Sequence, residues 1–303
     1  MLFAGIAGAG LVFGIPQWVS VPFAALLLIF VTRGRYSLVE RIAILFGLFE
    51  LCFLPAAFLA HPDPTAIMNT LYGSQPINNK SYLMLIAANV GAVIVPWMIF
   101  YQQGAVVDKG LKPYSLKYCR IDTFFGSIVT QVVMAAVLVL AAATIGRAHP
   151  NTSLENVQQI ASALTPLVGT LGGKVLFSFG VTGAALIAAI VVSLATSWAF
   201  GEVMGFRCSL NYTWREAPAF YGIYAAGIVI AASLVLIGIP LVSLTIAVEV
   251  MNALLLPIVL GFLLALGWKA LPKKYRLLTW EKVILLFIYV IICSLGIFTL
   301  FQL

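Results

Sequence analysis

Long runs of apolar residues separated by short polar stretches set the pattern of this chain. Complete helical spans are predicted near 15–32, 38–60, 82–107, 123–146, 175–204, 219–239, 241–267 and 282–302. Several exceed the ~18 apolar residues that mark a membrane-crossing helix. An apolar half-length piece occupies 2–14, lacks the basic flank of a signal peptide, and looks like the end of a helix whose beginning is missing. Pro16 and Pro240 mark tight turns between neighbouring spans. The pattern predicts an all-α polytopic membrane protein, with one transmembrane domain over residues 1–303.

One span breaks its own pattern. Within AANVGAVIVPWMIFYQQ (87–103), Pro96 has no N–H to give the carbonyl of Ala92. A carbonyl without a partner costs several kcal/mol against lipid, so non-helical backbone at membrane depth lines a cavity or a site, or is repaired by neighbouring helices. Broken helices near the midplane are also how many secondary transporters bind substrate and ions. Both readings stay open at this point.

Composition and charge narrow the class. Hydrophobic residues make up 62% of the 303 and charged ones 9%, against roughly 25% charged in a soluble domain. The net charge of +7 does not imply nucleic acid, because its distribution alternates. Fourteen of the seventeen cations fall in alternate loops: Arg33, Arg35, Arg41; Lys109, Lys112, Lys117, Arg120; Arg207, Arg215; Lys269, Lys273, Lys274, Arg276, Lys282. The opposite loops hold Lys80, Arg147 and Lys174. By the positive-inside rule the basic loops are expected in the cytoplasm, with 61–80, 147–174 and the C-terminus outside. A bacterial inner (plasma) membrane is the expected location. Cys52, Cys119, Cys208 and Cys293 have neither metal-knuckle spacing nor a disulfide framework. No cofactor loop appears, and GTLGGK at 169–174 lacks P-loop spacing and falls in a predicted external loop.

Polar residues inside spans are costly and usually functional. Glu249 precedes Asn252 by three residues, so the two can share one helix face, and Pro257 is expected to kink that helix. A carboxylate and an amide together suit a cation path; a protonated Glu249 bonded within the bundle is the plainer alternative. Glu50 and Glu202 lie inside or near span ends, and Asn89, Gln102 and Gln103 flank the broken segment. Each could offer oxygen ligands or ordinary interhelical hydrogen bonds. His61 and His149 lie in predicted external loops, which leaves no histidine for an intramembrane proton relay.

The stretch GAVIVPWMIFYQQGAVVDKGL resembles the sixth helix of Nramp divalent-metal transporters, where G-A-x-x-M-P-H is typical. The resemblance continues in order along most of the chain. FGIPQW resembles the start of the fourth helix, LFSFGVTGAALIAAIVVSLATSWAFGEVMGF the eighth, and EVMNALLLPIVLGFLLALG the tenth. Together these imply helices three to eleven of a LeuT-like, APC-type bundle, with helices one and two absent. By resemblance, Ala92 keeps the role of offering its carbonyl to the metal. The methionine position is Val95, and the two histidine positions are Trp97 and Gln102. Loss of the thioether favours harder cations such as Mg²⁺ or Mn²⁺, as in Nramp-related magnesium transporters, and loss of the histidines implies transport without proton coupling. Mg²⁺ keeps several waters, so a wide site is expected at Ala92 and Val95, with Glu249, Asn252 and Gln102 near those waters.

The family's first-helix Asp-Pro-Gly-Asn motif is absent; the one Asp-Pro, Asp63-Pro64, falls in a predicted external loop. The expected function is therefore divalent-cation transport by alternating access, with the lipid bilayer and the cation as partners and no nucleic acid. An organic-solute carrier on the same scaffold and a truncated, non-transporting membrane protein are the alternatives. No enzymatic chemistry is expected.

Overall fold

The structure, a computed structural model, describes Ile6, Gly10 and residues 14–32, 36–73, 76, 79–93, 95–148, 170–237 and 241–302. Most of the half-length piece 2–14, Arg33, Arg35, His149, Pro240 and most of the 147–174 loop lie outside the described residues.

The described chain is helical. In order the helices are α1 (Gln17–Val31), α2 (Tyr36–Glu50), α3 (Phe53–Leu59), α4 (Pro64–Tyr72), α5 (Lys80–Val93), α6 (Pro96–Asp108), α7 (Leu116–Ala148), α8 (Thr170–Met204), α9 (Pro218–Leu236), α10 (Leu241–Lys269) and α11 (Thr279–Gln302). Six stretches among the described residues are long and apolar enough to cross a membrane: Tyr36–Leu59, Tyr82–Asp108, Pro113–Ala143, Ser178–Met204, Pro218–Leu236 and Leu244–Lys269. The 15 residues of α1 rise only about 22 Å, short of a ~30 Å hydrocarbon core.

Prolines account for several boundaries. Pro55 cannot donate to Leu51, and the predicted 38–60 span divides there into α2 and α3 through a turn at Leu51 and Cys52. Asp63 caps α4 by accepting from the Thr65 N–H at 2.9 Å, with Pro64 in the first turn. A helix thus occupies a segment expected to be loop. GTLGGK also departs from expectation, because α8 begins at Thr170. α10 continues as one helix across Pro257; on α11, Gly296 leaves room for the ring, and a Cβ there would stand 3.2 Å from Pro257 Cγ.

The chain forms two compact units, Met1–Gly73 with Phe100–Leu241, and Ser74–Ile99 with Val242–Leu303. In the first, α8 packs on α2 and α9, α9 packs on α1, and α3 packs on α7. Its core holds Leu28, Ile190, Leu194, Phe220, Tyr224 and Ile228, all buried. Lipid is as apolar as these side chains, so close packing rather than escape from water joins such helices. Small residues permit it: Ala24 and Ala25 on α1 and Ala189 on α8 are buried in the same cluster. Phe23, Phe30, Phe124 and Phe125 remain exposed, as a membrane-embedded surface allows. In the second unit α11 packs on α5, and α10 meets α5 at Gly91.

Candidate functional site

The second unit contains the predicted break. Pro96 lacks the N–H that would close a helical bond on Ala92, and a residue before proline is steered away from α conformation. Accordingly α5 ends at Val93 and α6 starts at Pro96, with Val95 outside both helices. The Val95 carbonyl accepts from the Met98 N–H at 3.0 Å. Ala92 is exposed and Val95 half-buried.

Across from the last turn of α5 runs α10. A Cβ added to Gly91 would stand 2.9 Å from Ala253 N and 3.0 Å from the Glu249 carbonyl carbon, and closer still to the Glu249 carbonyl oxygen. Glycine is what lets the two backbones touch. This contact places the Glu249 backbone against the helix end at the break.

Glu249 is 8% exposed and Asn252 2%. The Asn252 Nδ2 donates to Glu249 Oε2 at 3.0 Å, as their three-residue spacing predicts. The Trp97 Nε1–H in turn donates to Asn252 Oδ1 at 3.1 Å. Trp97 is the second residue of α6, so a hydrogen-bonded chain runs from the broken segment to the carboxylate on α10. Sequence reasoning treated Trp97 only as a lost histidine. The available signal was that a buried indole N–H finds an acceptor.

The other expected participants are dispersed. Gln102 is exposed on the part of α6 that belongs to the first unit, and Asn89 is exposed on α5. Gln103 donates to Glu202 Oε2 at 3.0 Å. Further along α6, Asp108 Oδ2 accepts from the Leu210 N–H at 2.8 Å, and the Asp108 carbonyl accepts from Asn211 Nδ2 at 2.8 Å. Lys109 pairs with Glu40 and lies over the Tyr36 ring. These contacts anchor the C-terminal half of α6 within the first unit. A recess of about 360 Å³ in that unit is walled by Phe23, Leu27, Phe179 and Leu186, with the Ser20, Ser178 and Thr182 hydroxyls; no charged side chain is among its described lining residues.

No group of three His, Cys, Asp or Glu side chains converges among the described residues. Among the described residues near the break, the oxygen-bearing groups are backbone carbonyls, the Asn252 amide and the Glu249 carboxylate, a hard oxygen set.

Residues 1–302 match the family described as Natural resistance-associated macrophage protein-like, Nramp. The chain belongs to the Nramp family. Its fold class is thus an all-α, LeuT-like membrane bundle. Among similar proteins, one named "Divalent metal cation transporter MntH" from Agrobacterium fabrum is 26% identical over 208 residues, covering 65% of this chain and 44% of that protein. Its namesake from Brucella suis is 26% identical over 199 residues, covering 62% and 43%. That from Listeria welshimeri is 27% identical over 205 residues, covering 64% and 44%. The chain spans less than half the length of these relatives.

Proposed function

We propose that this Nramp-family chain serves divalent-cation transport, with Mg²⁺ or Mn²⁺ as substrate, and that the cation passes the break between α5 and α6. The observation that carries the reading is the buried Glu249 on α10, whose backbone lies against Gly91 at the end of α5. A buried carboxylate beside freed backbone carbonyls attracts a cation and repels an anion. Val95 stands where the family has a thioether, so the oxygen-rich surroundings favour hard cations over softer transition metals. Mg²⁺ retains water, and an unligated Val95 leaves space for that water. Breaking the helix gives the cation a carbonyl such as that of Ala92 without leaving it bare to lipid. Trp97 and Gln102, in place of histidines, support transport without proton coupling. The alternation of basic loops supports a cytoplasmic side bearing the α6–α7 and α10–α11 connections. The relatives' printed name, divalent metal cation transporter, supports the substrate class.

The test is uptake in proteoliposomes or in cells deficient in Mg²⁺ and Mn²⁺ import. Uptake that Mn²⁺ and Mg²⁺ compete for, that amino acids do not, and that Glu249→Gln lowers at least tenfold supports the reading. Uptake unchanged in Glu249→Gln, or competed by amino acids, overturns it.

A further inference from the structure

We propose that Trp97 is a positioning residue: its indole N–H fixes the Asn252 amide so that Glu249 is held as a hydrogen-bond acceptor, with its second oxygen left for the cation. The proposal rests on the reading of Glu249 as the cation-attracting group, and deepens it.

The argument is one of donors and acceptors. An indole N–H can only donate; an asparagine amide has one accepting oxygen and one donating NH₂; an ionised carboxylate can only accept. Trp97 Nε1 lies 3.1 Å from Asn252 Oδ1, and Asn252 Nδ2 lies 3.0 Å from Glu249 Oε2. Turning the amide over would set its NH₂ against the indole N–H, donor against donor. The same turn would set Oδ1 against Oε2, which is tolerable only if Glu249 carries a proton. Asn252 is 2% exposed, so water cannot readily make good the lost bonds. The indole therefore selects one amide orientation, and that orientation keeps Oε2 an acceptor, which favours the ionised carboxylate relative to the turned amide, where Oε2 would have to carry a proton. Oε1 receives no hydrogen bond from the described residues. The three side chains lie in one compact unit, with Trp97 two residues after the break and Glu249 and Asn252 three residues apart on α10. The tryptophan thereby links the state of the broken helix to the charge on its neighbour.

Infrared spectroscopy of the full chain in nanodiscs tests this directly. The band that disappears in Glu249→Gln is the Glu249 carboxylate. In Trp97→Phe the ring stays but the donor is lost, and the carboxylate band is expected to weaken while a carboxylic-acid carbonyl band grows. Trp97→His keeps a ring N–H at the same position relative to Cγ as Nε1, and is expected to restore the wild-type spectrum. If Trp97→Phe does not fold, Trp97→Leu decides: it also removes the donor to Asn252, so the same weakening of the carboxylate band is expected. A Glu249 carboxylate band unchanged in Trp97→Phe, or in Trp97→Leu where that variant must decide, overturns the proposal. Titration with Mn²⁺ separates it from the transport reading. A band that moves in Trp97→Phe but not with Mn²⁺ leaves the positioning role intact and removes the cation role. A band that moves with Mn²⁺ but not in Trp97→Phe does the reverse.

Discussion

Gly91→Ala should loosen the contact that sets Glu249 in place. The added methyl would lie 2.9 Å from Ala253 N and 3.0 Å from the Glu249 carbonyl carbon, with the Glu249 oxygen closer still. All three atoms are backbone, so no side chain can rotate aside. α10 and the end of α5 must separate until ordinary contact is restored, and the residues at the break must follow. Overpacking of this kind costs ~1–3 kcal/mol, and a backbone obstacle puts it at the upper end. Alanine in place of glycine gains ~1 kcal/mol of helix propensity, leaving a net loss of about 2 kcal/mol. At roughly 2–4 °C per kcal/mol for larger domains, the midpoint of thermal unfolding in detergent should fall by about 4–8 °C. Gly227→Ala on α9 is the internal control: nothing lies within 4 Å of its added Cβ, so propensity should raise stability by up to ~1 kcal/mol. Size-exclusion after graded heating reads both variants, and cation uptake by Gly91→Ala should fall with its stability. If Gly91→Ala melts with or above Gly227→Ala, the close crossing of α5 and α10 is wrong, and with it the placement of Glu249.

Pro96→Ala returns an N–H to the Ala92 carbonyl and frees Val95 from the restriction before proline; uptake should fall while thermal stability holds or rises, and retained uptake would mean the break is not the site. Asp108→Ala removes the acceptor of the partly buried Leu210 N–H and should cost ~1–3 kcal/mol locally, seen as faster hydrogen exchange across 205–212 with α9 unaffected. Glu216, in the loop before α9, accepts from the Thr213 N–H and hydroxyl, which holds its carboxyl below the ordinary carboxylate range. The stabilisation this gives the turn is present above the unfolded-state value and is lost as pH falls through the lower folded value. Limited proteolysis at 213–216 should therefore quicken on acidification below the ordinary glutamate range, and Glu216→Gln should remove that pH dependence.

Local features of this site were legible in the sequence, and contacts between distant segments were not. Six long, apolar helices among the described residues overlap runs of hydrophobic sequence, because each such run must match the bilayer on its own. The break at Pro96 follows from one missing N–H, and the Glu249–Asn252 bond from a three-residue helical spacing. Asp63-Pro64 carried a cap-and-proline helix start that marks α4, yet its position between spans led to a loop assignment; the division at Leu51 and Cys52 likewise rested on Pro55. The Trp97–Asn252 bond joins residues 155 apart, and periodicity carries no information about which helix crosses which. Gly91 has the same character, since a glycine in an apolar helix can serve a bend, a lipid face or a crossing, and only the neighbouring backbone decides. The distinction has a consequence for function. Residues whose role is local can be exchanged for any side chain that keeps the local rule, whereas Gly91 and Trp97 answer to a partner on another helix. Replacing Trp97 by a residue without a ring N–H should therefore be tolerated only with compensating change at Asn252 or Glu249, whereas at Gly91, which faces backbone atoms of Glu249 and Ala253, no side-chain exchange on α10 can compensate.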